Sequence, residues 1–111
     1  MLNMNNFAFG DIVLLSFPYT DGQSYKKRPA LVINDYRDGD VIVCRITSQI
    51  YKSKQDILIH DWEKSGLKLP SVIRVHKIAT LEKELVEVVI GHIDESLKNK
   101  VRNAIGNLTG S

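Results

Sequence analysis

Apolar residues in this chain come in short runs broken by turn residues, a pattern of strands more than of helices. Gly10 to Phe17 reads as a strand ended by Pro18, and Pro18 to Lys27, with its Asp21-Gly22 pair, reads as a loop. Arg28 to Asn34 is a β-branched run suited to a buried strand, and Asp38-Gly39 turns the chain into Val41 to Thr47, a hairpin. Alternation puts Ile42, Cys44 and Ile46 on the core face of that strand and Val43, Arg45 and Thr47 on the other. Asp56 to His60 predicts a short strand, His60 to Gly66 one helical turn capped by Gly66, and Val72 to Ile78 a further strand. Leu85 to Ile93 predicts the last strand, with Glu87 outward and Val86, Val88 and Ile90 inward. Asp94 then caps a helix whose apolar stripe is Leu97, Val101, Ala104, Ile105 and Leu108. Short strands, tight turns and one terminal helix predict a mainly β, compact antiparallel structure.

A chain of 111 residues fits a single domain over 1–111. No run reaches the length of a membrane span, and the N-terminus lacks the pattern of a signal peptide. The single cysteine, Cys44, allows no internal disulfide and suits a reducing, cytoplasmic location. Cys44 and the three histidines show no metal-ligand spacing, so neither metal nor cofactor is expected. His60 and His92 read as ordinary surface or half-buried residues. The net charge of +2 does not announce nucleic-acid binding, but its placement matters. Lys26, Lys27 and Arg28 are contiguous, and Arg45, Lys52, Lys54, Arg74 and Lys77 lie around the later runs.

Several polar residues interrupt the apolar runs where a plain β core has no need of them. Arg28, before Pro29, can grip a phosphate with two parallel hydrogen bonds or stand as an exposed edge arginine. Thr47 and Ser48 close a strand, where hydroxyls either cap a turn or meet a phosphate. Arg74 and His76, two apart in a strand, emerge on one face. Tyr19 and Tyr25 can stack on bases while Lys26 and Lys27 meet phosphates, or all four can pack the loop. RNA carries its own nucleophile, the 2′-OH. Its cleavage needs a base, an acid and positive charge near the phosphorane, with no metal required.

In order along the chain, GDIVLLSFPYTD at 10–21, RPALVIND at 28–35, ITSQ at 46–49 and PSVIRVHKIATLEK at 70–83 resemble the MazF/PemK family of toxins from type II toxin–antitoxin systems. The resemblance runs from about Gly10 to Leu108. It implies an SH3-like curved antiparallel sheet or barrel with a C-terminal helix. It also implies a homodimeric, metal-independent, sequence-selective endoribonuclease toxin that cuts single-stranded RNA to a 2′,3′-cyclic phosphate and a 5′-hydroxyl. A cognate antitoxin would neutralise it. Arg28 matches the functional arginine of the family's R-P-x-L-V pattern, and Thr47 the hydroxyl of its I-T-S/A-Q segment.

Ser48, Gln49 and Lys77 are implied RNA contacts, together with Tyr19, Tyr25, Lys26 and Lys27 of a loop that family members use as a lid. In the PemK (Kid) branch the later segment reads R-x-D and takes part in acid–base chemistry. Here it reads Arg74-Val75-His76, so His76 either replaces the acidic base or leaves the work to Arg28 and Thr47. Ala8 and Phe9 precede Gly10-Asp11 where the family carries a basic residue. Two rival functions remain. One is a gyrase poison like CcdB, whose Trp-Gly-Ile terminus this chain lacks; the other is a non-catalytic SH3-like binding module.

Overall fold

The Asp38-Gly39 turn shows in its backbone why those residues stand there. Gly39 has a φ of 96° and Arg37 a φ of 62°, left-handed conformations that are easy for glycine and strained for most others. Asp38 Oδ1 accepts the Asp40 N–H at 3.1 Å and tightens the turn. In the structure, a computed structural model that describes residues 5–18 and 21–110, this turn joins β2 (Tyr25–Asn34) to β3 (Asp40–Thr47). Preceding them is β1 (Asp11–Pro18); β4 (Asp56–Ile59), β5 (Ser71–Glu82), β6 (Val86–His92) and α1 (Glu95–Gly106) follow. Among the described residues the strands form one six-stranded antiparallel sheet in the order β4-β5-β3-β2-β1-β6. The mainly β expectation with a terminal helix holds. Tyr25 to Lys27, expected in a loop, belong to β2, because they pair with β1 opposite Pro18, Phe17 and Ser16.

Both faces of the sheet are buried, each in a different core. Leu31, Cys44, Ile46, Ile73 and Val75 face α1, where Leu97, Val101 and Ala104 cover them. Ala30, Val32, Val41 and Val43 point the other way, against Phe7, Val13, Leu15 and Val86. The expected core face of β3 is therefore right for Cys44 and Ile46. Val43, assigned to the opposite face, is buried as well, because the N-terminal segment brings Phe7 over that side. Alternation still separates the two sets; it cannot reveal that both are covered.

At the β6 edge the inward assignment of Val88 fails. Leu15 pairs with Val86 and Leu14 with Val88, then Val13 with Val89 and Ile12 with Gly91, so Glu87 and Ile90 are extra residues. These bulges break the period-two rule. Val86 is buried and Ile90 half-buried, but Val88 and Val89 are 47% and 40% exposed.

The expected helical turn at 60–66 is a tight turn ending in a Schellman motif. Leu67 N–H donates to the Trp62 carbonyl at 3.0 Å and Gly66 N–H to that of Glu63 at 3.1 Å, with Gly66 at a φ of 85°. This turn presses the far end of the sheet against β6. A Cβ at Gly66 would collide with the Ile90 carbonyl oxygen, and one at Gly91 with that of Ser65. Backbone meets backbone there, so only glycine fits at either place. Asp94 caps α1 as expected, its Oδ1 accepting the Leu97 N–H at 2.9 Å. Leu108 lies beyond the end of α1 and is 37% exposed, outside the buried stripe.

Candidate active site

Only the second half of β2 is paired on both sides. Tyr25 to Pro29 pair with β1 alone, and pairing with β3 begins at Ala30, opposite Arg45. Pro29 stands at the parting, where it has no N–H to give to a ladder. A cleft of about 400 Å³ opens there. Its walls are Leu14 of β1, Lys27 to Pro29 of β2, and Arg45 to Thr47 with Ser48 at the end of β3. Gly66 to Leu69, Ser71 and Ile90 close it. Arg28 and Thr47, distant in sequence, thus share one cleft with Ser48 and Lys27.

The hydroxyl of Thr47 caps its own turn, accepting the Gln49 N–H at 3.2 Å. Its proton is left to donate to an oxygen in the cleft, so the two readings of this residue are compatible. Lys27 Nζ meets Glu87 Oε1 at 2.8 Å across β1, an exposed pair worth little. Arg28, Arg45 and Lys68 have no ion pair among the described residues. No carboxylate or imidazole lines the cleft. Its field is therefore positive, suited to an anion.

Arg74 and His76 lie outside this lining. Arg74 is 13% exposed and its Nε donates to Asp56 Oδ1 at 2.8 Å, while its guanidinium stacks 3.6 Å from the Tyr51 ring centre. Asp56 Oδ2 also accepts the Ser53 N–H at 3.0 Å and hydroxyl at 2.6 Å. Burial raises the Asp56 pKa, but the Ser53 hydroxyl, Arg74 and the Ser53 N–H outweigh it and hold the carboxyl below its ordinary value. Arg74 thus braces the segment after Thr47. Between the pairs Cys44–Ile78 and Arg45–Arg74, β5 contributes Val75, His76 and Lys77 where β3 contributes nothing. Val75 is buried there, and His76 and Lys77 are exposed.

Tyr25 is 64% exposed, and neither it nor Lys26 nor Gln49 lines the cleft. Tyr19 lies outside the described residues. Cys44 is buried, which pushes its thiol up to about 12, so a nucleophilic thiolate is not available there. His60, Asp61 and Asp94 bring ligand atoms within 4.8 Å of one another at the start of α1. All three are exposed and none lines the cleft, and Asp94 Oδ1 already serves as the helix cap. Among the described residues no helix is long and apolar enough to cross a membrane.

Sequence reasoning did not single out Arg45 and Lys68 as site residues. Arg45 was visible as a charge facing away from the core, but Lys68, between Leu67 and Leu69, carries no motif at all.

This sheet order with a terminal helix over one face is the fold of several solved bacterial toxins. The Mycobacterium tuberculosis toxin MazF-mt6 superposes with a TM-score of 0.74 at 22% identity, over 90% of this chain and 96% of that one. The MazE–MazF crystal structure (Form-III) from Deinococcus radiodurans gives 0.77 at 20% identity, over 96% and 98%. Residues 8–109 match the family model described as the PemK-like, MazF-like toxin of type II toxin–antitoxin systems. Endoribonuclease EndoA of Bacillus subtilis (strain 168) is 31% identical over 102 residues, 86% of this chain and 88% of that protein. The chain belongs to the PemK-like, MazF-like family of type II toxins.

Proposed function

We propose that this chain is an endoribonuclease toxin that cuts single-stranded RNA through the 2′-OH without a metal ion. The observation that carries the reading is the cleft in which β2 and β3 part, with Arg28 and Thr47 on its walls and three cations that have no ion pair among the described residues. The EndoA relative, an endoribonuclease by name, supports it. The Arg28 guanidinium holds the scissile phosphate and offsets the charge that builds on its non-bridging oxygens. The Thr47 hydroxyl donates to a neighbouring oxygen. The products are a 2′,3′-cyclic phosphate and a 5′-hydroxyl, since the 2′-oxygen attacks phosphorus and the 5′-oxygen leaves. Cleavage of a long defined RNA should survive excess EDTA, and RNA with 2′-O-methyl at the scissile nucleotide should stay intact. Cutting of that modified strand would overturn the mechanism.

The cleft offers no imidazole or carboxylate to take the 2′-OH proton. His76 is exposed on the unpaired segment of β5. Solvent then takes the 2′-OH proton and supplies one to the leaving 5′-oxygen, and His76→Ala should cleave at close to the wild-type rate with the same pH profile. A rising limb in the pH–rate profile that vanishes in His76→Ala would make His76 the base instead.

We infer also that the toxin acts as a homodimer and that a cognate antitoxin masks it. A solved endoribonuclease in complex with its cognate antitoxin, from Mycobacterial species, shares the fold with a TM-score of 0.73 at 19% identity, over 92% of this chain and 93% of that one. Sedimentation at micromolar concentration should give twice the 12.6 kDa chain mass. A monomer that still cuts RNA would remove the dimer from the reading.

A further inference from the structure

Arg45 stands in β3 between Ala30 of β2 and Arg74 of β5. Of its two arginine neighbours, Arg74 is committed to Asp56 at 2.8 Å. Arg28 sits two residues along β2 from Ala30, past the point where β2 and β3 part, so it and Arg45 line the cleft from neighbouring strands. Like charges gathered in one cleft repel and favour neither fold nor packing. Both are exposed, both line the cleft, and neither has an ion pair among the described residues.

Lys68 lines the same cleft from a braced segment. Gly66, two residues before it, is locked against β6, and the Ser71 hydroxyl donates to the Leu69 carbonyl at 2.9 Å. Leu69 itself is 57% exposed on the rim, an apolar surface set among cations. A free phosphate needs no apolar neighbour, and a duplex turns its bases inward. A single strand presents phosphates and base faces together.

We propose that Arg45 and Lys68 form a second anion subsite, which binds the phosphodiester next to the one held by Arg28 and Thr47, with Leu69 against an unstacked base. The inference rests on the endoribonuclease reading and deepens it: the substrate is gripped at two successive phosphates, so the cleft fixes the strand's direction as well as its position. Phosphate contacts set register on the strand in this way.

The test is binding of a short single-stranded RNA, 2′-O-methylated and spanning a mapped cut site, across a series of salt concentrations. Arg45→Ala and Lys68→Ala should each weaken binding about tenfold at low salt, and each should flatten the plot of log K against log salt by about 0.7, the share of one phosphate contact. A neutral methylphosphonate, moved one linkage at a time along the strand, should cost wild type about tenfold at one linkage beside the cut and cost Arg45→Ala nothing further there. Arg45→Lys should restore the salt slope. Both positions are exposed, so thermal melting of the variants should match wild type. Unchanged affinity and slope in the alanine variants, or an equal methylphosphonate cost in wild type and Arg45→Ala, would overturn the subsite. If Arg28→Ala and Thr47→Ala cut RNA as wild type does, the active-site reading falls and the subsite falls with it. If those two lose cleavage while Arg45→Ala and Lys68→Ala bind normally, only the subsite falls.

Discussion

Arg28→Ala and Thr47→Ala should each lower the single-turnover rate of RNA cleavage by about 10²-fold or more, leaving the fold unchanged. The size follows from where the groups sit. Charge in the transition state develops on phosphoryl oxygens, and the cleft has no metal ligand set or carboxylate to share the work with Arg28. Removing a donor aimed at developing charge commonly costs two to three powers of ten, or about 3–4 kcal/mol. Stability should hardly move, because Arg28 is exposed and has no ion pair among the described residues. Thr47→Ala also loses the cap on Gln49, an exposed bond whose loss costs about 1 kcal/mol at most. Thr47→Ser keeps both cap and donor and should recover much of the rate; Arg28→Lys keeps the charge without the planar fork and should recover less. Wild-type rates in both alanine variants, with matching melting curves, would remove these residues from the site.

The positions of the two residues on which that prediction rests were legible in the sequence because each sits at a break in pairing, whereas the role given to them comes from the family resemblance. Arg28 precedes the proline that ends the β2–β3 ladder, and Thr47 is the last residue of β3. Strand breaks leave marks in composition, and so did the Asp38-Gly39 turn and the Asp94 cap. Arg74 and His76 show the limit. Spacing of two places them on one face, but spacing says nothing of Asp56, which pairs with Arg74 across β4 and β5 and turns a free cation into a brace. Nor does it show that Val75, His76 and Lys77 have no partner on β3. Val88 failed for a related reason, since a bulge resets the alternation without leaving a Gly or Pro behind. Lys68 enters the cleft only because Gly66 and Gly91 let two distant backbones touch. Long-range closure of that kind is a property of the folded sheet, not of any window of residues.

Asp35→Ala should be the most destabilising side-chain truncation among the polar residues, worth about 3–5 kcal/mol in chemical unfolding with an unchanged denaturant slope. The side chain is fully buried, and it accepts from three donors: Phe7 N–H at 2.8 Å, Arg37 N–H at 2.8 Å and Lys83 Nζ at 2.9 Å. One carboxylate therefore ties down the N-terminal segment that covers the second core, the left-handed turn before β3, and Lys83 at the start of the turn before β6. Lys83→Met should cost less, about 3 kcal/mol, because the stranded carboxylate still keeps two N–H partners. A simple buried ion pair can be exchanged for two apolar residues with little loss. Asp35→Leu with Lys83→Met should not show that rescue, since it leaves the buried Phe7 N–H and the part-buried Arg37 N–H without their acceptor. If the double variant is as stable as wild type, Asp35 is only the partner of Lys83 and not an organiser of the turn.

The pH dependence of stability carries a second signature. Burial raises the Asp35 pKa, but the Phe7 N–H, Lys83 and the Arg37 N–H together hold it below the ordinary value. A carboxyl depressed in the folded state stabilises it above the unfolded pKa of about 3.9, and that contribution is lost as pH falls towards the folded value. Wild type should therefore weaken steeply below about pH 4, with Asp56 acting in the same sense. Asp35→Ala, already deprived of its share, should show a shallower acid slope. An equal slope in the two proteins would mean that Asp35 keeps its ordinary pKa and that the network does not hold it ionised.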